Sequence, residues 1–289
     1  MKTKTIYWIL LIIIYASCST DDDNSQKTTD EPKLIIKFEF DENQVRLNKL
    51  GQPTQIAAGN AAQTPVFNSM SAHYIEFSSS ATTLLGESEI IYQGEETTKG
   101  GERAIDFNKA KLVGDGEIFL EIPLSEVQAG NYQWVRISAS YENASIDLLH
   151  NDKELQGTIA AFLGYNNYID SFDIQGQSIA VNQNKLQGYW AFEAAGFVVE
   201  GQAPEGAVTV PNPLFETSPI PQGSCVLTGK FEDQLEILGN EEQDVVVTLS
   251  FSINNSFEWQ EINVDGKYEP SIGETLVDMG LRGLIPEHN

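Results

Sequence analysis

The chain has 289 residues and a mass of 31.9 kDa, with 42 acidic against 17 basic side chains and a formal charge of -25. That balance excludes nucleic acid as a partner, because phosphate binding needs Lys and Arg to displace counterions. Three histidines and two cysteines leave little for zinc clusters or thiol chemistry, while 41% hydrophobic residues suffice for a buried core.

At the amino end, Lys2 and Lys4 precede an apolar run from Ile6 to Tyr15, followed by Ala16, Ser17 and Cys18. A basic start, a short apolar stretch and small residues before a cut site make a secretory leader, too short to span a bilayer. Because a cysteine follows the cut, residues 1–17 resemble a bacterial lipoprotein signal, with Tyr15 departing from the aliphatic residue usual there. The resemblance implies acylation of Cys18 and attachment to a membrane through buried methylenes. Next comes STDDDNSQ, in which Asp21, Asp22 and Asp23 form a run suited to a solvated tether. This run resembles the acidic export tag of surface lipoproteins in Bacteroidota-type bacteria, which implies display on the outer face of the outer membrane. Residues 18–32 therefore read as lipid and flexible tether, and residues 33–289 as the folded domain. Loss of Lys2 and Lys4 with the leader would take the charge from -25 to -27.

Beyond the tether the apolar period is two. In KLIIKFEFD, Ile36, Phe38 and Phe40 alternate with Lys37, Glu39 and Asp41. Shorter runs follow at His73 to Phe77, Glu117 to Ile122, Tyr132 to Tyr141, Thr158 to Gly164, Gly188 to Phe192 and Ser224 to Phe231. In VVVTLSFSIN, Val245, Val247, Leu249, Phe251 and Ile253 oppose Thr248, Ser250, Ser252 and Asn254, the mark of a half-buried antiparallel strand. Turn signals separate the runs at Gly114-Asp115-Gly116, Ala129-Gly130-Asn131 and Asp265-Gly266. Leu124 to Val127 suits a single helical turn, and no internal repeat is visible. The pattern predicts an all-β protein, an antiparallel, immunoglobulin-like sandwich.

Five prolines, Pro204, Pro211, Pro213, Pro219 and Pro221, mark residues 203–222 as loop, since proline cannot donate to a ladder. Such a stretch serves either as a binding loop or as a crossover draped over the sandwich. Cys225 alternates with Leu227, which suits a buried strand position better than a reactive thiol, and no disulfide framework exists.

Catalytic motifs are missing: there is no HExxH, paired CxxC, G-x-S-x-G or phosphate-cradling loop, so a non-catalytic role is expected. His73 alternates with Ile75 and Phe77 and reads as a core or interface residue, while His150 and His288 stand alone. Acids are too numerous for a glycosidase pair to be picked out. The most specific local pattern is WQEINVDGKYEPSIGE from Trp259 to Glu274. Glu261, Asn263 and Asp265 alternate before Gly266, and Glu274 arrives later, which suits a structural calcium ion held by a turn between strands. It departs from the EF-hand, with Glu261 at the first position and Ile272 at the twelfth. A hairpin turn with merely exposed acids is the alternative. A second pattern is Tyr132, Trp134 and Arg136: with Val135, Ile137, Ala139 and Tyr141 inward, these three would face outward and stack on sugar rings or receive a partner protein. A second sheet covering that face is the other reading. Tyr189, Trp190 and Trp259 invite the same two readings.

Three stretches carry a family resemblance: KLIIKFEFD with GNAAQTPVFNSMSAHYIEF, then IPLSEVQAGNYQWVRISASY, and the closing DGKYEPSIGETLVDMGLRGL. Together they resemble the MbnP-like β-sandwich proteins of bacterial envelopes, associated with copper handling, over most of residues 33 to 286. The resemblance implies the fold; copper would need soft or imidazole ligands, for which His73, His150, Met70 and Met279 are the candidates. The chain is also similar in style to surface lipoproteins of flavobacteria. Three functions are then open. The first is a ligand-binding surface module, with glycan as one ligand class. The others are a metal-handling envelope protein and an assembly or adhesin subunit lending an edge strand to an envelope protein.

Overall fold

A computed structural model describes residues 31–48, 52–203 and 224–289, and Glu31–Asn289 forms one compact unit. Cys18, the acidic run and the five prolines lie outside the described residues. In chain order the strands are β1 (Lys33–Asp41), β2 (Asn60–Gln63), β3 (Val66–Ser78), β4 (Glu89–Gln93), β5 (Glu96–Thr97) and β6 (Ala104–Asp106). Next come β7 (Ile118–Pro123), β8 (Gly130–His150), β9 (Lys153–Phe162), β10 (Asn166–Ile174), β11 (Gln177–Leu186) and β12 (Tyr189–Ala194). The last six are β13 (Phe197–Gln202), β14 (Cys225–Ile237), β15 (Val245–Ser252), β16 (Phe257–Gln260), β17 (Thr275–Met279) and β18 (Leu284–His288). Among the described residues helix is limited to single 3-10 turns, one of them Leu124–Glu126. The protein is an all-β sandwich.

Its first sheet runs β18-β15-β1-β7 and its second β13-β12-β9-β8-β3-β4, with β14 also paired to β8. Apolar faces of these two sheets meet in the main core, where Phe38 and Phe251 from one side join Phe77, Ile137 and Leu227 from the other. The alternation in KLIIKFEFD and VVVTLSFS thus does what period two requires, turning one face of each strand inward. One expectation is corrected: β15 pairs antiparallel with β18 but parallel with β1, from Leu34 opposite Val245 to Asp41 opposite Ser252.

The second sheet is covered on both faces. A small sheet, β11-β10-β6-β5, closes one face through Phe107, Tyr141, Phe162, Phe172 and Tyr189. The other face carries the main core at one end and a three-stranded sheet, β17-β16-β2, at the other, packed through Ile146, Leu148, Phe257, Trp259 and Tyr268.

β8 organises this arrangement. Along one edge it pairs with β3; along the other it pairs with β14 over residues 130–139 and with β9 over 141–150. The sheet therefore forks at Ser140, whose carbonyl accepts hydrogen bonds from Leu163 and Gly164 at the end of β9 (2.8 and 3.2 Å). Three tight hairpins fold the rest, with positive φ at both central residues: Asn151 and Asp152 (50° and 61°), Gln175 and Gly176 (48° and 73°), Ala195 and Gly196 (52° and 86°). This is the backbone whose twist matches paired strands.

Candidate functional site

The fork in the second sheet opens into a cavity of about 570 Å³ between the main core and the β16–β17 cluster. That lies within the roughly 300–1,000 Å³ typical of small-molecule sites. Its floor is one cross-strand row: Glu142 on β8 is opposite Ala161 on β9, Ala161 opposite Trp190 on β12, and Trp190 opposite Gly201 on β13. Residue size along this row shapes the space. The indole of Trp190 lies so close over Gly201 that an added Cβ there would come within 2.2 Å of it. Ala161 fills little, so volume stays open between Trp190 and Glu142. Ile159, Phe192 and Leu163 extend the apolar floor, and β17 with Leu281 forms the opposite wall, bringing Asp278 and Met279.

Glu142 is the outstanding group. It is 1% exposed, lines the cavity, and neither carboxyl oxygen has a hydrogen-bond partner. Burial, then the nearby charge of Asp278, pushes its pKa up to about 8. Asp278 is buried too and is raised to about 6 by burial, against the pull of Arg282 and of a hydrogen bond from the Gly280 amide (3.2 Å). Behind it, Arg282 approaches Asp278 (3.4 Å) and joins Glu258, which also binds Arg46 and Asn60. Cys225 lines the same space, its thiol pushed up by burial and by the two carboxyls. At neutral pH the site is an apolar chamber with a protonated Glu142 and an ionised Asp278. Two acids at positions 142 and 278 carry no shared motif, so only the fold joins them.

Of the aromatic and arginine positions singled out in the sequence, Trp190 lines this cavity, whereas Tyr132, Trp134 and Arg136 do not. The expected outward face of that trio is corrected. Tyr132 and Val135 belong to the same core although they are three residues apart, so the alternation slips between them. Opposite the slip, β14 jumps from Lys230 at Trp134 to Leu235 at Tyr132. Tyr132 packs on Phe77 and its hydroxyl donates to the Gln128 carbonyl (2.5 Å). Arg136 is 4% exposed and ion-paired to the fully buried Glu76 at 3.0 Å. Trp134 is half-buried beneath Lys230, whose ammonium lies 6.0 Å from its ring. Trp259 is fully buried, and Tyr189 is buried with its hydroxyl on Glu200.

In the acidic loop the side chains serve the loop itself. Glu261 accepts from the amides of Asp265 (3.1 Å) and Gly266 (2.5 Å), and Asp265 accepts from Lys267 (2.9 Å). Glu274 accepts from Ile262 (3.0 Å) and Glu269 (2.6 Å), while Asn263 donates to Glu269 (3.4 Å). Among the described residues, no group of three or more His, Cys, Asp or Glu side chains could hold a metal.

The residues proposed for copper occupy different surroundings. His73 is fully buried with Nε2 3.1 Å from Glu96, and its ring packs edge-on to Tyr165. Burial opposes ionisation of Glu96, yet hydrogen bonds from His73 and Arg103 and their charges hold its pKa down at about 2. His150 sits beside Asn151 in a hairpin, Met70 in the main core, and Met279 on the cavity wall.

No family model matches this chain, and neither a curated protein nor a solved structure matches it.

Proposed function

We propose that the protein is a non-catalytic lipoprotein of the bacterial outer membrane, tethered through Cys18, whose β body captures a small, largely apolar ligand in the cavity over Ala161. The observation that carries this reading is Glu142: a buried carboxyl without a partner, lining a largely apolar chamber of about 570 Å³. Burying a polar group unpaired costs roughly 1–3 kcal/mol, a cost a bound ligand offsets by supplying the missing hydrogen bonds. Trp190 on the floor offers a rigid apolar surface for the ligand body. The glycan form of the reading has less support, because Trp259 and Arg136 are buried and Trp190 lies in a concave pocket rather than on a flat platform.

Two measurements test the proposal. Wild-type protein should fractionate with membranes and Cys18→Ser should be released; equal membrane retention of both would defeat the tether. The full Cys18→Ser chain should bind at least one of 4-phenylbutanol, 4-phenylbutylamine and 4-phenylbutanoate saturably by calorimetry. Binding of none of the three would defeat the cavity as a ligand site.

A further inference from the structure

We infer that the ligand is an apolar molecule ending in a protonated amine, its cationic head between Glu142 and Asp278 and its hydrocarbon body over Ala161 against Trp190. This rests on the cavity being the ligand site, and it adds the chemical class.

Three observations point the same way. First, the polar end of the chamber is acidic: Glu142 enters from β8 and Asp278 from β17, and no Lys, Arg or His is among the lining residues described. Arg282, the cation behind Asp278, is committed to Asp278 and Glu258, which in turn holds Arg46. An anionic head group would therefore meet like charge without a counter-ion. Second, both oxygens of Glu142 lack partners; a hydroxyl can exchange one bond each way with the protonated carboxyl, whereas an ammonium can serve both oxygens of the carboxylate at once. A hydroxyl donates one; an ammonium donates three and brings the charge that Asp278 lacks inside the chamber. Third, the remainder of the described wall carries no further charged side chain, and Ile159, Leu163, Phe192 and Trp190 suit a hydrocarbon body.

The proton balance follows from the groups facing the site. Glu142 faces Asp278 from β17 and the Cys225 thiol from β14, and in the empty chamber it keeps its proton at pH 7. When an ammonium arrives, Glu142 ionises, its proton leaves to solvent, and the carboxylate pairs with the cation. Binding of the amine at pH 7 therefore releases up to one proton, whereas binding of a neutral alcohol releases none.

The test uses the full Cys18→Ser chain and three ligands of one shape: 4-phenylbutylamine, 4-phenylbutanol and 4-phenylbutanoate, titrated calorimetrically in two buffers of different ionisation enthalpy. The amine should bind about tenfold or more tighter than the alcohol, an advantage of about 1.4 kcal/mol, with the acid weakest. Only the amine should show a buffer-dependent enthalpy. Glu142→Gln, which keeps shape and removes the capacity to ionise, should erase most of the preference for the amine over the alcohol, and Asp278→Asn should do likewise. Alcohol binding that equals or exceeds amine binding would overturn the amine inference and leave the cavity reading standing. So would a preference that survives both substitutions. Failure of all three ligands would remove the cavity reading beneath it.

Discussion

Glu142 and Trp190 stand in one cross-strand row, two strands apart with Ala161 between them. Strands lie about 4.8 Å apart, so the two larger side chains rise about 10 Å from each other over a methyl group. That gap is the floor of the cavity, and residue 161 controls it.

Ala161→Leu should therefore close the site. Ligand binding should be lost while the melting temperature holds or rises, since filling a void without strain adds up to about 1–2 kcal/mol. Calorimetry and a thermal melt on the same variant check this. A fall of about 1–3 kcal/mol, the mark of overpacking, would mean that no open volume lies above Ala161.

The carboxyls of the cavity set the pH dependence of stability. Glu142 keeps its proton to about pH 8 in the folded protein, against an ordinary 4.5, and Asp278 to about 6, against 3.8. Over that range the folded state binds more protons than the unfolded state. The contribution of these two carboxyls is thus full below about pH 4 and is lost as pH rises toward 8. At about 1.4 kcal/mol per unit the loss amounts to several kcal/mol. Urea titrations of ligand-free protein at pH 5, 6.5 and 8 should show this decline. Glu142→Gln should flatten most of it and be the more stable protein at pH 8.

The ion pair of Arg136 with Glu76 is structural. Glu76 also accepts from the Tyr74 hydroxyl (2.7 Å) and the Gly86 amide (2.8 Å), so its carboxylate is fully engaged in a dry setting. Arg136→Met alone should cost about 3–5 kcal/mol, because it leaves an unpaired buried charge. The double change with Glu76→Leu should cost clearly less. Chemical denaturation of the two variants decides; equal losses would show that the Arg136 side chain matters through packing instead.

Glu274 fastens the acidic loop by accepting two backbone amides. Its replacement by alanine should cost about 1–3 kcal/mol with or without calcium. Thermal melts in chelator and in millimolar calcium measure both. A calcium-dependent gain in the wild type that Glu274→Ala abolishes would identify these acids as ion ligands.

Some of this architecture is legible in the chain and some is not, for identifiable reasons. β1 and β15 read clearly because one face of each meets the main core and the alternation stays clean. In β8 only the first half is readable: residues 135–146 are all buried, and apolar–polar alternation in the sequence holds only from Val135 to Tyr141. β11 and β13 were not expected at all, since they are largely exposed strands held by hairpins at Gln175-Gly176 and Ala195-Gly196 rather than by an apolar face. Arg136 was expected to be exposed because Val135 and Ile137 turn into the main core, and they do; the covering of the opposite face, where Arg136 meets the fully buried Glu76, is a tertiary feature that alternation does not carry.

What the amino-acid sequence determined alone is local: the leader pattern, the acidic run, the period-two strands and hence an all-β body. Alternation and composition act within a few residues, and that is the reach of such signals. Which acid is unpaired, which tryptophan meets a void, and that residues 142, 161, 190 and 278 line one chamber were decided by the fold. A carboxyl acquires its proton and its need for a partner from what is packed around it, and for Glu142 the nearby charge, Asp278, comes from a strand more than a hundred residues away.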